Sequence, residues 1–292
     1  MTVYLSTTFA SKNTPVTGVL ELLRERGVTA VELGSIHCWE SDLTSRLKRF
    51  NMDYIVHNYF PPPEEKFVVN IASRNRDIRK CSIEHAKSSI SFCAEIGARM
   101  YTCHPGFITD PDGESTRSEN YDFRFQAQSG NNSDYEESFK LFLDGTKTLS
   151  EHARTEGVTL AVESQGSRQQ YGHLLLQRPG EFTLFFKHFN KEDVGLNVNL
   201  GHLNLASRVY EFVPSEFISQ FSHNIVALEI SHNDGYKDDH AALKSDGWYW
   251  PVITDDRLSG VCKIFEGRNI PVDTAVKMVY WLEKVIGERG RV

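Results

Sequence analysis

No window of the sequence approaches 18 consecutive apolar residues, so no membrane-spanning helix is expected. The opening MTVYLSTTFASKN lacks the basic start and apolar stretch of a signal peptide. Cysteine is scarce: Cys38, Cys81, Cys93, Cys103 and Cys262 are odd in number and show no CxxC spacing. That argues against a disulfide framework or a cysteine-held zinc, and for reduced thiols in a cytoplasmic protein. Positive charge is also short. Lys and Arg number 32 against 39 Asp and Glu, a net charge of −7. Broad contact with nucleic-acid phosphates needs clustered cations and is disfavoured. The nearest basic run, SRNRDIRK (73–80), reads as the solvated start of a helix. There is no repeat of solenoid period and no low-complexity linker. With 292 residues, 40% of them hydrophobic, the chain is expected to form one domain over 1–292.

What is present is alternation. Short apolar runs at 3–6, 28–34, 54–57, 99–104, 158–164, 194–199, 225–231 and 261–266 read as strands. Between them lie amphipathic stretches such as TPVTGVLELLRERG and IRKCSIEHAKSSISFCAEIG, with apolar residues three and four apart. Gly27, Gly97 and Gly157 stand where helix C-caps would precede strands. Eight strand–helix units in about 290 residues predict an α/β fold, a (β/α)8 TIM barrel. A doubly wound open sheet would need no eighth unit. The long polar stretch 105–134 is expected to be a lid over the barrel mouth.

In such a barrel the active site lies at the C-terminal strand ends. Here those ends are His57, His104, Glu163, Asn199, His232 and Glu266 for strands three to eight. Five of the six are His or Glu. Mixed imidazole and carboxylate donors suit Zn2+ or Mn2+. Glu163 and Glu266 each close an apolar run, and a buried carboxylate needs a partner or a metal. His202 follows Asn199 by three residues, and VALEISHNDGYKDDHAAL adds Asp238 and His240 beyond His232. Asp234 and Asp239 read as turn-forming or solvated, and the other six histidines as structural.

Read in order, VHNYF, TCHPG, LAVES, VGLNVNLGH, EISHND, DDH and IFEGRNIP resemble the xylose isomerase-like TIM barrels, which include sugar isomerases, epimerases and endonuclease IV. The likeness spans roughly 240 residues, from strand three onward. For the sugar enzymes it implies one Mn2+-like ion on Glu163, Asn199, His232 and Glu266. For the endonuclease pattern it implies three zinc ions and adds His57, His104, His202, Asp238 and His240. Two departures stand out. Asn199 replaces an Asp, which removes one negative charge and favours one ion over three. SDGWYW follows DDH where relatives have a Gly-x-Gly turn, so Trp248, Tyr249 and Trp250 either stack on a sugar or seal the rim.

The first functional expectation is a divalent-metal-dependent isomerase or epimerase of a small sugar, sugar phosphate or polyhydroxy acid. Glu163 and Glu266 would move the proton beside a polarised carbonyl, His202 would bind a substrate hydroxyl, and Arg117 or Arg124 would meet a phosphate or carboxylate. The alternatives are a zinc phosphodiesterase acting on abasic DNA, and another metal-dependent hydrolase. The acidic net charge, Asn199 and the lost Gly-x-Gly turn weigh against the DNA enzyme.

Overall fold

The computed structural model describes residues 2–111, 113–114, 123–124, 132–167 and 173–289. Eight parallel strands close into a barrel: β1 (Val3–Ser6), β2 (Ala30–Leu33), β3 (Asp53–His57), β4 (Met100–Cys103), β5 (Thr159–Glu163), β6 (Gly195–Asn199), β7 (Ile225–Ile230) and β8 (Cys262–Phe265). Each pairs with its sequence neighbour, and β1 closes the ring on β8, with Tyr4 opposite Ile264. The strands are buried on both faces, as parallel strands wrapped by helices must be. The barrel is the (β/α)8 fold expected from the alternation.

The helices that position the site are α1 (Val16–Glu25), α2 (Leu43–Lys48), α3 (Arg76–Ile96), α4 (Asn132–Glu156), α5 (Pro179–Phe185) and α6 (Leu200–Tyr210). The last helix (Val272–Arg289) packs beside β1, where Val3 N donates to Glu283 Oε1. Gly27, Gly97 and Gly157 all take φ between 71° and 75°, the left-handed conformation of helix ends. Among the described residues no helix is long and apolar enough to cross a membrane.

Side-chain alternation divides the barrel interior into layers. Tyr4, Ala30, Ile55, Met100, Ala161, Ala227 and Ile264 form one apolar cluster at the N-terminal end. Two residues further along each strand come Ser6, Glu32, His57, Thr102, Glu163, Glu229 and Glu266, all buried. An oily plug therefore supports a polar floor. Below the plug, Tyr4 Oη donates to Asp53 Oδ2, and Arg99 pairs with both.

Of the expected lid, residues 112, 115–122 and 125–131 lie outside the described residues, and Arg117 with them. Gly113–Glu114 pairs antiparallel with Phe123–Arg124. Closer in, Ile108 N donates to His173 O, which ties the segment after β4 to the one after β5.

Candidate metal centre

Burying Glu163 at the end of β5 without a counter-charge would be costly. The chain surrounds it with imidazoles. His57 Nε2 is 2.8 Å and His104 Nε2 3.0 Å from Glu163 Oε2, and His202 Nδ1 is 3.1 Å from Oε1. Burial alone would raise the Glu163 carboxyl, but the three rings hold it well below the usual range. Burial would lower His57, and the Glu163 hydrogen bond and charge outweigh it, pushing His57 up to about 9. Ser35 Oγ lies 3.2 Å from His57 Nδ1 and orients the ring with Nε2 inward.

A second cluster sits beside the first. His202 Nε2 and His240 Nε2 lie 3.3 and 3.0 Å from Asp238 Oδ2. His240 Nδ1 lies 2.8 Å from Glu266 Oε2. Neither His240 nitrogen meets its carboxylate along a hydrogen-bond direction, and Asp238 Oδ1 is buried without a partner. Buried donors that approach one another without bonding suit a shared cation. His240 also holds φ at 43°, a left-handed conformation costly for a non-glycine residue and typical of functional sites. Donor atoms of His57, His104 and Glu163 fall within 4.8 Å of one another, as do those of His202, Asp238 and His240. Both sets match the nitrogen and carboxylate donors of Zn2+ or Mn2+.

Local structure explains how distant residues reach this place. The Asn199 Oδ1 caps α6 by accepting from His202 N, which sets His202 on the first helical turn over the barrel. Gly166 lets the chain after β5 touch that turn: a Cβ there would lie 2.0 Å from His202 O. The loop after β7 closes on itself, with His232 and Ala241 exchanging both backbone hydrogen bonds, and so returns Asp238 and His240 to the mouth.

Between the two clusters stands the Asn199 amide. Its Nδ2 lies 3.1 Å from Glu163 Oε1, 2.9 Å from Glu229 Oε2 and 3.2 Å from Glu266 Oε2. An amide has two N–H donors, so three carboxyl groups share them. Asn197 Nδ2 adds a 2.5 Å bond to Glu229 Oε1. Burial, reinforced by the charge of Glu163, raises the Glu229 carboxyl well above its ordinary value. Burial likewise pushes Glu32 up to about 7. Glu266 is pulled down to about 2, because His240 and Arg268 overcome its burial.

A family model described as xylose isomerase-like TIM barrel matches residues 20–273. The chain belongs to that family. Uncharacterized protein MJ1311 of Methanocaldococcus jannaschii is 23% identical over 195 residues, 67% of this chain and 56% of that protein. The chain thus spans little more than half the length of that curated relative. Among solved structures, a D-tagatose 3-epimerase-like protein superposes with a TM-score of 0.74 at 19% identity, covering 99% of this chain and 100% of the other. Endonuclease IV from Thermus thermophilus gives a TM-score of 0.61 at 13% identity, with the same coverages. At these identities the two structures share the fold.

In this xylose isomerase-like barrel the sequence-derived candidates His57, His104, Glu163, Asn199, His202, Asp238, His240 and Glu266 come together. His232 does not join them. Alternation along β7 aims Ala227, Glu229 and Ser231 inward, so His232 turns outward and packs edge-on to Tyr249, 6.0 Å between ring centres. Burial lowers its imidazole, and Nδ1 is buried without a partner. Glu229 and Glu32 were missed, although counting by twos from each apolar strand centre finds both. Tyr249 is fully buried, its hydroxyl accepting from Lys244 N, and Trp250 donates to Lys244 O and packs on Trp281. Both serve the rim. Asp234 forms the expected turn, accepting from Tyr236 N and Lys237 N.

Proposed function

We propose that the chain is a divalent-metal-dependent isomerase or epimerase of a small polyhydroxylated carbonyl compound, working in the cytoplasm. The observation that carries this reading is a cavity of about 220 Å³ whose lining includes His57, His104 and Glu266, beside both donor clusters. His57, His104 and Glu163 would hold one ion, and His202, Asp238 and His240 a second. Such an ion supplies Lewis acidity that polarises a carbonyl and acidifies the neighbouring C–H. Glu266 lines the cavity and would act as the base. Its Oε2 is steadied by Asn199, while Oε1 lies 3.8 Å from Arg268. Returned to the adjacent carbon, the proton would complete isomerisation; for epimerisation Glu163 would deliver a proton to the opposite face.

Two His–His–carboxylate clusters sharing neighbours also suit a water nucleophile, so hydrolysis of a phosphate ester is the second reading. The test is turnover of ketoses and their phosphates in D2O, followed by NMR, with bis(p-nitrophenyl) phosphate run in parallel. Deuterium entering next to the carbonyl supports the first reading. Release of nitrophenol without any exchange sinks it in favour of the second. Glu266→Gln should keep its metal and lose about 10²- to 10⁴-fold in exchange rate.

A further inference from the structure

The second donor set draws on two separate segments. His202 stands on the first turn of α6, whereas Asp238 and His240 belong to the loop after β7. Their spacing has to be fixed, because a divalent ion bonds its ligands at about 2.0–2.2 Å and tolerates little error. Two buried asparagines span the gap. Asn233 Nδ2 donates to Gly201 O at 2.9 Å, on the residue just before His202. Asn233 Oδ1 accepts from Asn204 Nδ2 at 2.8 Å, two residues after His202, and from Gly235 N at 3.0 Å. His202 is thus bracketed on α6 by two bonds to one amide on the other segment. Both asparagines are buried, so water does not compete for these bonds. The approach is close because residue 201 is glycine: a Cβ there would stand 3.0 Å from both Asn233 Nδ2 and Ser231 Oγ. From Asn233 the loop runs to its ligands through a fixed turn, in which Asp234 Oδ1 accepts from Tyr236 N and Lys237 N before Asp238 follows. One turn beyond Asn204 on α6, the Arg208 guanidinium lies over the Tyr236 ring, 5.2 Å from its centre. These contacts use no ligand atom, so His202, Asp238 and His240 keep their donor capacity for an ion.

We propose that Asn233 and Asn204 are positioning residues for the second ion. Their amides set the spacing between His202 and the Asp238–His240 pair, and so set that ion's affinity without touching it. The inference rests on reading His202, Asp238 and His240 as a metal site. The first set, His57, His104 and Glu163, is carried at the ends of β3, β4 and β5, so its ion serves as the internal control.

The experiment is titration with Co2+, a spectroscopic stand-in for Zn2+, followed by absorption in two backgrounds that isolate the donor sets. His57→Ala leaves the second set intact, and His240→Ala leaves the first. Asn233→Ala is then added to each. In the His57→Ala background it should weaken Co2+ binding about tenfold or more. In the His240→Ala background it should leave the affinity unchanged. Asn204→Ala spares the Asn233–Gly201 bond and should weaken the second set alone, by about threefold. It decides the matter if Asn233→Ala fails to fold. The proposal is overturned if these substitutions leave the second set's affinity unchanged, or lower both sets equally, as a general loosening of the barrel would. A His57→Ala protein that binds no Co2+ with both asparagines in place would instead sink the functional reading beneath it.

Discussion

At the scale of single residues, Asn199 sets a neutral amide at the centre of a buried carboxyl cluster. Its amide sits among Glu163, Glu229 and Glu266, where a carboxylate would instead demand a cation. Asn199→Asp should therefore lower the metal-free melting temperature, through like-charge repulsion in a buried setting, and raise metal affinity or occupancy. Unchanged stoichiometry and affinity would show that the amide does not limit the charge. His57 makes a second prediction. Held up at about 9, it carries a proton at pH 7 that a metal must displace, since only the neutral ring ligates. Affinity should rise by up to about tenfold per pH unit between 7 and 9 and flatten above. Titration heats should depend on the buffer's ionisation enthalpy. Heats independent of buffer at pH 7 would contradict this.

At the scale of elements, alternation within strands decides which side chains enter the site. All eight barrel strands were legible from short apolar runs, with ends within two residues of those observed. Most candidate ligands were legible too, because a polar residue closing an apolar run has few places to point. His232 follows the strand end closely enough to look like a ligand, whereas the pleat assigns the inward position to Ser231. Cross-strand contacts such as Asn197 with Glu229 join residues 32 apart, and no local pattern announces them. The turn carrying His202 depends on Gly166. Gly166→Ala would drive a Cβ into backbone that has no flexible end to move. It should cost at least about 2 kcal/mol in denaturant unfolding and weaken metal binding. A variant of wild-type stability and metal affinity would show that α6 is free to shift.

At the scale of the whole molecule, the barrel gathers donors from β3 to β8 that are separated by up to 209 positions in the sequence onto one floor, above an apolar plug. The neutral Asn199 side chain, on charge alone, favours one ion over three. The folded arrangement offers two donor clusters, His57–His104–Glu163 and His202–Asp238–His240. That both hold divalent cations is the central claim, and metal content tests it most directly. Elemental analysis of dialysed protein should find two ions per chain in wild type, one in His57→Ala and one in His240→Ala. A wild type free of divalent metal, or a count that neither substitution changes, would contradict the claim.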